Sequence, residues 1–387
     1  MGEEGGGGVV RILVCPDKFK GSLTAGEACE AIVRGVRDGW PEAETVACPL
    51  ADGGEGTLEV LVRATRGRVV VVEATGPLGE KLRAPLGITG DGRTAVVEMA
   101  AASGLELVPP GSRDPGVTTT RGTGDLIRGA LDLGLRRIIV GIGGSGTNDG
   151  GAGMAAALGA RFLDGEGREL PPGGRGLLGL ARIDLSSMDP RVRETEIVVA
   201  SDVDNPLLGP RGAARVYAPQ KGAGPEDVEV LEKGLARLVE VASSCVAPGL
   251  EDMPGAGAAG GLGFGLAAFL GARVRPGIEV VMEALGFEGL LRSCDLVVTG
   301  EGRLDDQTAH GKTVCGVARK ARERRIPVLA LGGEVAEGAE ALHALGVSAV
   351  LGICPGPLSR EVCMERAASM LRRAAREAAG LLRALAV

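Results

Sequence analysis

The sequence of 387 residues is poor in aromatics, with 1 Trp, 1 Tyr and 5 Phe. Its interior must therefore be built from Val, Leu, Ile and Ala, and the length suits two cores rather than one. Histidine is scarcer relative to need: His310 and His343 are the only two. That argues against a His-rich zinc site and against a Ser-His-Asp triad. The net charge of −7 offers no basic stripe for nucleic acid. The basic run over 319–325 reads as the solvated face of a helix. The 8 cysteines (15, 29, 48, 245, 294, 315, 354 and 363) contain no C-x-x-C pair. Their scatter argues against a zinc site or a redox pair and suits reduced, buried thiols. Long apolar runs are also missing. The uncharged stretch from Pro254 to Ala272 is mostly Gly and Ala, and reads as a Gly-rich loop feeding a buried helix. Residues 1–8 are acidic and Gly-rich, without the basic start and apolar stretch of a secretory signal, and are expected to be a flexible tail. A cytoplasmic protein with no nucleic-acid or membrane partner is the expectation. The oligomeric state is not set by the sequence, a homodimer being one option.

What is abundant is glycine, 66 residues of it. Much of it falls in clusters with polar residues between, where a backbone held close to a ligand leaves no room for a side chain. Around these clusters the pattern runs strand, loop, helix. Residues 9–15 form a short apolar strand, and Thr24 with Glu27 reads as a capping box opening a helix that ends near Gly39. Residues 45–50 and 68–74 follow as apolar strands, which suggests a parallel sheet covered on both faces. Residues 83–89 and 94–100 read as a hairpin, 136–142 and 196–203 as strands, and 150–162 as a helix. From Pro225 the apolar positions Val228, Leu231, Leu235, Leu238 and Ala242 make one buried stripe. The last part returns to plain α/β, with a strand over 295–300 and a helix over 312–323. The two ends are alike and the middle is less regular. The expected fold class is α/β with two domains. A parallel-sheet domain is made from both chain ends (9–74 and 290–387), and a mixed α/β domain (75–289) is inserted in it.

Five polar loops sit after the carboxyl ends of strands, the edge where open α/β sheets bind ligands. The first is Pro16-Asp17-Lys18-Phe19-Lys20-Gly21-Ser22, able to hold phosphate or carboxylate. The second, Ala51-Asp52-Gly53-Gly54-Glu55-Gly56-Thr57, can orient a hydroxyl, act as base or approach Mg²⁺. The third, Gly141 to Gly151, contains G-x-G-x-x-G, but its Ser-Gly-Thr-Asn-Asp run carries more donors and acceptors than a dinucleotide turn needs. Phosphates at the start of the following helix suit it better. The fourth, Ser201-Asp202-Val203-Asp204-Asn205-Pro206, offers carboxylates for a metal or a proton. The fifth runs from Thr299 through Glu301, Arg303 and Asp305 to Gly311-Lys312-Thr313. Its tail looks like the end of a Walker loop, yet Asp306 stands where that loop needs Gly. Together the loops suit phosphoryl transfer, which depends mostly on positioning and charge neutralisation.

The motifs PDKFKGSLTA, ADGGEGT, GIGGSGTNDGG, SDVDNPLLGPRGAA, YAPQKGA, GAGAAGGLG and TGEGRLDDQTAHGKT, in that order, resemble the glycerate kinase family over nearly the whole chain. The resemblance implies a flavodoxin-like domain from both chain ends with an inserted α/β domain. It implies ATP and glycerate as substrates, with Mg²⁺ assisting, and most often the 2-hydroxyl as acceptor, some members being named for the 3-hydroxyl. Alternatives are a kinase of a related small hydroxy-acid and an NAD-linked hydroxy-acid dehydrogenase. The expected roles place Lys18, Lys20, Ser22 and Glu55 on the acceptor acid or the transferring phosphoryl. Asp52 or Asp202 is expected to act as base. Gly143, Gly144, Ser145, Asn148 and Glu301 are expected on ATP, Asp149 or Asp202 near Mg²⁺, and Arg303 with Asp305 completing the catalytic set.

Overall fold

The computed structural model describes residues 9–305, 308 and 313–385. The strands up to the first crossover are β1 (Arg11–Val14), β2 (Glu44–Ala47), β3 (Arg68–Thr75), β4 (Lys81–Ile88) and β5 (Thr94–Glu98). The middle carries β6 (Arg137–Gly141), β7 (Arg161–Leu163), β8 (Arg182–Asp184), β9 (Glu196–Ala200) and β10 (Arg273–Arg275). β11 (Leu296–Leu304), β12 (Val328–Val335) and β13 (Ala349–Gly352) complete the chain. Residue contacts divide the chain into two units, 1–52 with 281–387, and 53–280.

In the unit built from the chain ends the strand order is β13-β12-β11-β1-β2, and every pairing is parallel. Counted within the unit this is 2-1-3-4-5, the doubly wound flavodoxin-like order, whose direction reverses between β1 and β11. Ile12, Leu13 and Val14 are fully buried, as both faces of a parallel strand require. The helix Ala25–Gly39 begins where Thr24 accepts from the Glu27 amide and Glu27 reaches back to Thr24, as the capping box predicts. It buries Ile32 and Val36 with Leu331 and Leu371 of the same core. Each such aliphatic side chain contributes about 1.5–3 kcal/mol.

The other unit holds a mixed sheet in the order β10-β9-β6-β5-β4-β3, and a two-stranded ribbon of β7 and β8. β10, β9, β6 and β5 are parallel, and β4 and β3 continue the sheet antiparallel. The predicted hairpin around residues 89–94 is present as β4–β5. The stripe on the helix Pro225–Ala242 is buried as its spacing requires. The uncharged stretch after Pro254 enters the buried helix Ala258–Leu270, and among the described residues no helix is long and apolar enough to cross a membrane.

Four expectations change. Residues 68–75 are not a buried parallel strand: β3 is an edge strand antiparallel to β4, with Val69 and Val71 48% and 54% exposed. A run of valines satisfies β propensity equally on an edge. Through that pairing residues 53–74 group with the middle of the chain rather than with its ends. The helix expected over 150–162 is confined to Ala152–Ala157, because Gly159 turns to φ +104° and Arg161–Leu163 pairs with β8. β11 runs on to Leu304, so Glu301 and Arg303 belong to a strand end, held by pairing with β12.

Candidate active site

At the reversal between β1 and β11, β1 feeds the loop that begins at Pro16. Asp17 is buried there, and its carboxylate accepts from the Thr313 hydroxyl at 2.5 Å and the Lys18 amide at 2.6 Å. Burial, then the negative charge of Asp52, push this carboxyl up to about 6, while the two hydrogen bonds pull the other way. Two carboxylates that repel each other at a sheet switch point are the arrangement expected of an acid–base pair. Asp52 is half-buried, and its loop is tied to β1's by the Leu50 amide on the Pro16 carbonyl. Lys18 is half-buried and Lys20 exposed. Phe19 and Leu23 bridge across a tight turn, closed by the Ser22 hydroxyl on the Phe19 carbonyl, with Gly21 at φ +78°. The Ser22 hydroxyl thus shapes the loop by its donated bond.

Arg303 and Asp305, from the end of β11, pair with each other at 3.0 Å. Asp305 also accepts from the Thr308 amide and hydroxyl, and Arg303 lies 3.6 Å from Glu334. Glu301 is half-buried on the same strand. Asp306, Gln307 and residues 309–312, including His310 and the Walker-like Gly311-Lys312, lie outside the described residues.

In the second unit the glycines of the second and third loops have a steric reason. A Cβ on Gly141 would lie 2.6 Å from the Gly53 carbonyl oxygen, and one on Gly143 would lie 2.8 Å from the Gly54 Cα. The loop 53–56 therefore lies directly on the strand end of β6. Its helix, Thr57–Ala64, is started by Glu98, which accepts from the Leu58 amide at 2.8 Å, and Glu55 is exposed. Gly143 and Ser145 are half-buried and Gly144 is exposed. No helix follows this turn directly, since the next begins at Ala152. The dinucleotide reading of G-x-G-x-x-G therefore loses its structural context.

Asn148 and Asp149 point the other way, into the protein. Asp149 is buried and accepts from the Thr119 hydroxyl, the Thr120 amide and hydroxyl, and the Gly151 and Gly153 amides. Burial raises its carboxyl above the usual range, with these donors opposing. It is the internal anchor of the loop, and it takes the amides at the start of Ala152–Ala157 that a phosphate would have needed. Lys221 lies beside it, 1% exposed, donating to the Thr147 carbonyl at 2.7 Å. Burial pushes this ammonium down to about 7, and the Asp149 charge opposes that. Asn148 is fully buried, and its side-chain nitrogen and oxygen meet no hydrogen-bond partner among the described residues. Such a group costs about 1–3 kcal/mol, and its hydrogen-bonding capacity is uncommitted.

After β9, Asp202 is half-buried and accepts from the Gly277 amide at 2.7 Å. Asn205 accepts from the Tyr217 hydroxyl and donates to the Arg211 carbonyl, and Arg211 pairs with Asp204. The carboxylates of Asp202 and Asp204 are oxygen ligands of the hard kind that Mg²⁺ prefers. Among the described residues no group of three or more His, Cys, Asp or Glu side chains is placed to hold a metal.

Sequence reasoning gave no role to Thr313, Glu98 or Lys221, and to Asp17 only a share in a loop able to hold phosphate or carboxylate. Asp17, Thr313 and Lys221 stood in motifs already singled out; the signal for Glu98 exists only in the folded chain.

Residues 12–383 match the glycerate kinase family. Over 374 residues the chain is 50% identical to a glycerate kinase of Bacillus subtilis (strain 168), covering 97% of this chain and 98% of that one. Over 373 residues it is 47% identical to a glycerate 2-kinase of Escherichia coli (strain K12), covering 96% and 98%. The crystal structure of "putative glycerate kinase 2" from Salmonella typhimurium LT2 superposes with a TM-score of 0.88 at 48% identity, over 97% of this chain and 99% of the other. The order of loops, the sheet topology and this end-to-end similarity agree, and the chain belongs to the glycerate kinase family.

Proposed function

We propose that this protein is an ATP-dependent kinase that transfers the γ-phosphoryl of ATP to the 2-hydroxyl of D-glycerate, giving 2-phosphoglycerate and ADP. The observation that carries the reading is the near-complete coverage by relatives named glycerate kinase and glycerate 2-kinase. Each unit taken by itself carries a feature that phosphoryl transfer uses: carboxylates and lysines at the parallel-sheet switch point of the first, and a Gly-rich loop packed without side chains in the second. The Asp17–Asp52 pair orients the acceptor hydroxyl and takes its proton, its raised carboxyl lying close to working pH as a general base requires. Lys18 and Lys20 receive the glycerate carboxylate or the phosphoryl in transfer. Gly143, Gly144 and Ser145 contact the ATP phosphates through backbone amides, and the fully buried Asn148 is left out of that contact. Asp202 would hold Mg²⁺, which supplies charge neutralisation on the phosphates. Asp149, with its oxygens taken, is assigned to structure. Arg303 and Asp305 steady the strand end that carries Glu301.

A coupled ADP-release assay with D-glycerate, followed by phosphorus NMR of the product, tests the reading. Turnover giving 2-phosphoglycerate is expected. Silence with D-glycerate overturns the substrate, and a 3-phosphoglycerate product overturns the position. An Asp202→Asn variant with wild-type Mg²⁺ dependence removes Asp202 from its role.

A further inference from the structure

Cys354 follows β13 and Cys363 lies on the helix Arg360–Glu365. Their sulfurs are 3.1 Å apart, and both residues are half-exposed. A disulfide bond is about 2 Å long, so the thiols are one small movement from bonding. No C-x-x-C spacing announces them. A turn carrying Pro355, Gly356 and Pro357 folds the helix back onto the strand end instead.

The pair borders the loop assigned to glycerate on two sides. Met364, the residue after Cys363, packs on the turn of the first loop: a Cβ on Gly21 would lie 2.7 Å from its Cε. Cys354 donates to the Gly333 carbonyl at 3.5 Å. A Cβ on Gly333 would lie 2.5 Å from the Gly302 carbonyl oxygen, and one on Gly302 would lie 3.1 Å from the Lys20 amide nitrogen. Backbones that close transmit displacement rather than absorb it.

We propose that Cys354 and Cys363 form a thiol modification site, oxidised by a small-molecule disulfide to an intramolecular disulfide that pins the Arg360–Glu365 helix and, through Met364 and Gly333, restrains the Lys18–Ser22 loop. The Cys354 thiol donates to the Cys363 sulfur, and burial and the neighbouring thiol push Cys354 up to about 11, so Cys354 is the thiol that keeps its proton and attacks second. The Cys363 thiolate attacks one sulfur of the oxidant, forming a mixed disulfide and releasing one small thiol. Cys354, losing its proton, attacks the Cys363 sulfur and releases the second. The two protein thiols lose two electrons and two protons, and the oxidant leaves as two thiols. Outside oxidising compartments such pairs are transient or sensing.

The effect on glycerate binding rests on the kinase reading; formation of the bond does not. The experiment uses full-length protein carrying Cys245→Ser, which removes the exposed thiol. The protein is equilibrated with reduced and oxidised glutathione at graded ratios. Peptide mapping without reductant reads the bond, hydrogen exchange reads residues 16–23, and the kinase assay reads KM. Expected are a Cys354–Cys363 linked peptide reversed by dithiothreitol, slower exchange in the loop, and a change of about fivefold or more in KM for glycerate. Cys354→Ser and Cys363→Ser should each abolish all three responses. No linked peptide at any ratio overturns the site, and a linked peptide with unchanged loop exchange overturns the coupling. If the reduced enzyme does not turn over glycerate, the kinase reading fails, while mapping and exchange still decide this proposal.

Discussion

Two polar loops at strand ends, Pro16–Ser22 after β1 and Gly141–Gly151 after β6, treat their aspartates in opposite ways. Asp17 receives one hydroxyl and one amide while facing the charge of Asp52, and its carboxyl is held at about 6. Asp149 is buried at least as deeply, yet it is surrounded by donors from Thr119, Thr120, Gly151 and Gly153. Burial raises both carboxyls, but the first also faces a like charge, while the second is met by donors on both oxygens. The difference teaches that an Asp in a polar loop at a strand end marks a site when a like charge faces it; when donors converge, the same signal marks an anchor.

The sharpest way to break this contrast is to neutralise each aspartate. Asp17→Asn should lower kcat by about 10²–10⁴-fold and leave the thermal midpoint unchanged or raised. The raised pKa means that the ionised Asp17 carries its full penalty above about 6, which the neutral amide removes. Asp149→Ala should instead cost at least about 3 kcal/mol in urea unfolding, since it strands several buried donors. Equal effects of the two variants on turnover and stability would erase the distinction.

A smaller effect is expected in the pH profile. The acid limb of kcat/KM should lie near 6, where Asp17 takes up its proton. Asp52→Asn removes the neighbouring negative charge, so the residual activity should have its acid limb at lower pH. A limb that stays in place would separate the two carboxylates.

The mildest test concerns Lys221. Its pKa is depressed from 10.5 to about 7, so the unfolded chain binds the extra proton between those values. Stability from this group therefore rises as pH climbs from about 7 and is lowest below it. The thermal midpoint of the wild type, less that of Lys221→Met, should increase between pH 7 and 9. A constant difference would show that the buried ammonium does not titrate in that range.

Much of this was legible in the sequence because it is local. The Thr24–Glu27 capping box, the stripe from Val228 to Ala242 and the β-branched runs of β6 and β9 each need only neighbours in sequence. The valines of β3 were legible as a strand but not as an edge, since pairing partners lie outside the strand. The motifs marked all five loops, while the inward turn of Asp149 depended on Thr119 and Thr120 from a separate helix start.

The sequence by itself determined the α/β class, the order of the polar loops and the family, because periodicity and motif order survive without coordinates. Only the tertiary structure decided which aspartate is spent and which is held ready, and that Cys354 meets Cys363. Burial and hydrogen-bond geometry set a carboxylate's energy, and both come from residues that the chain brings together only on folding.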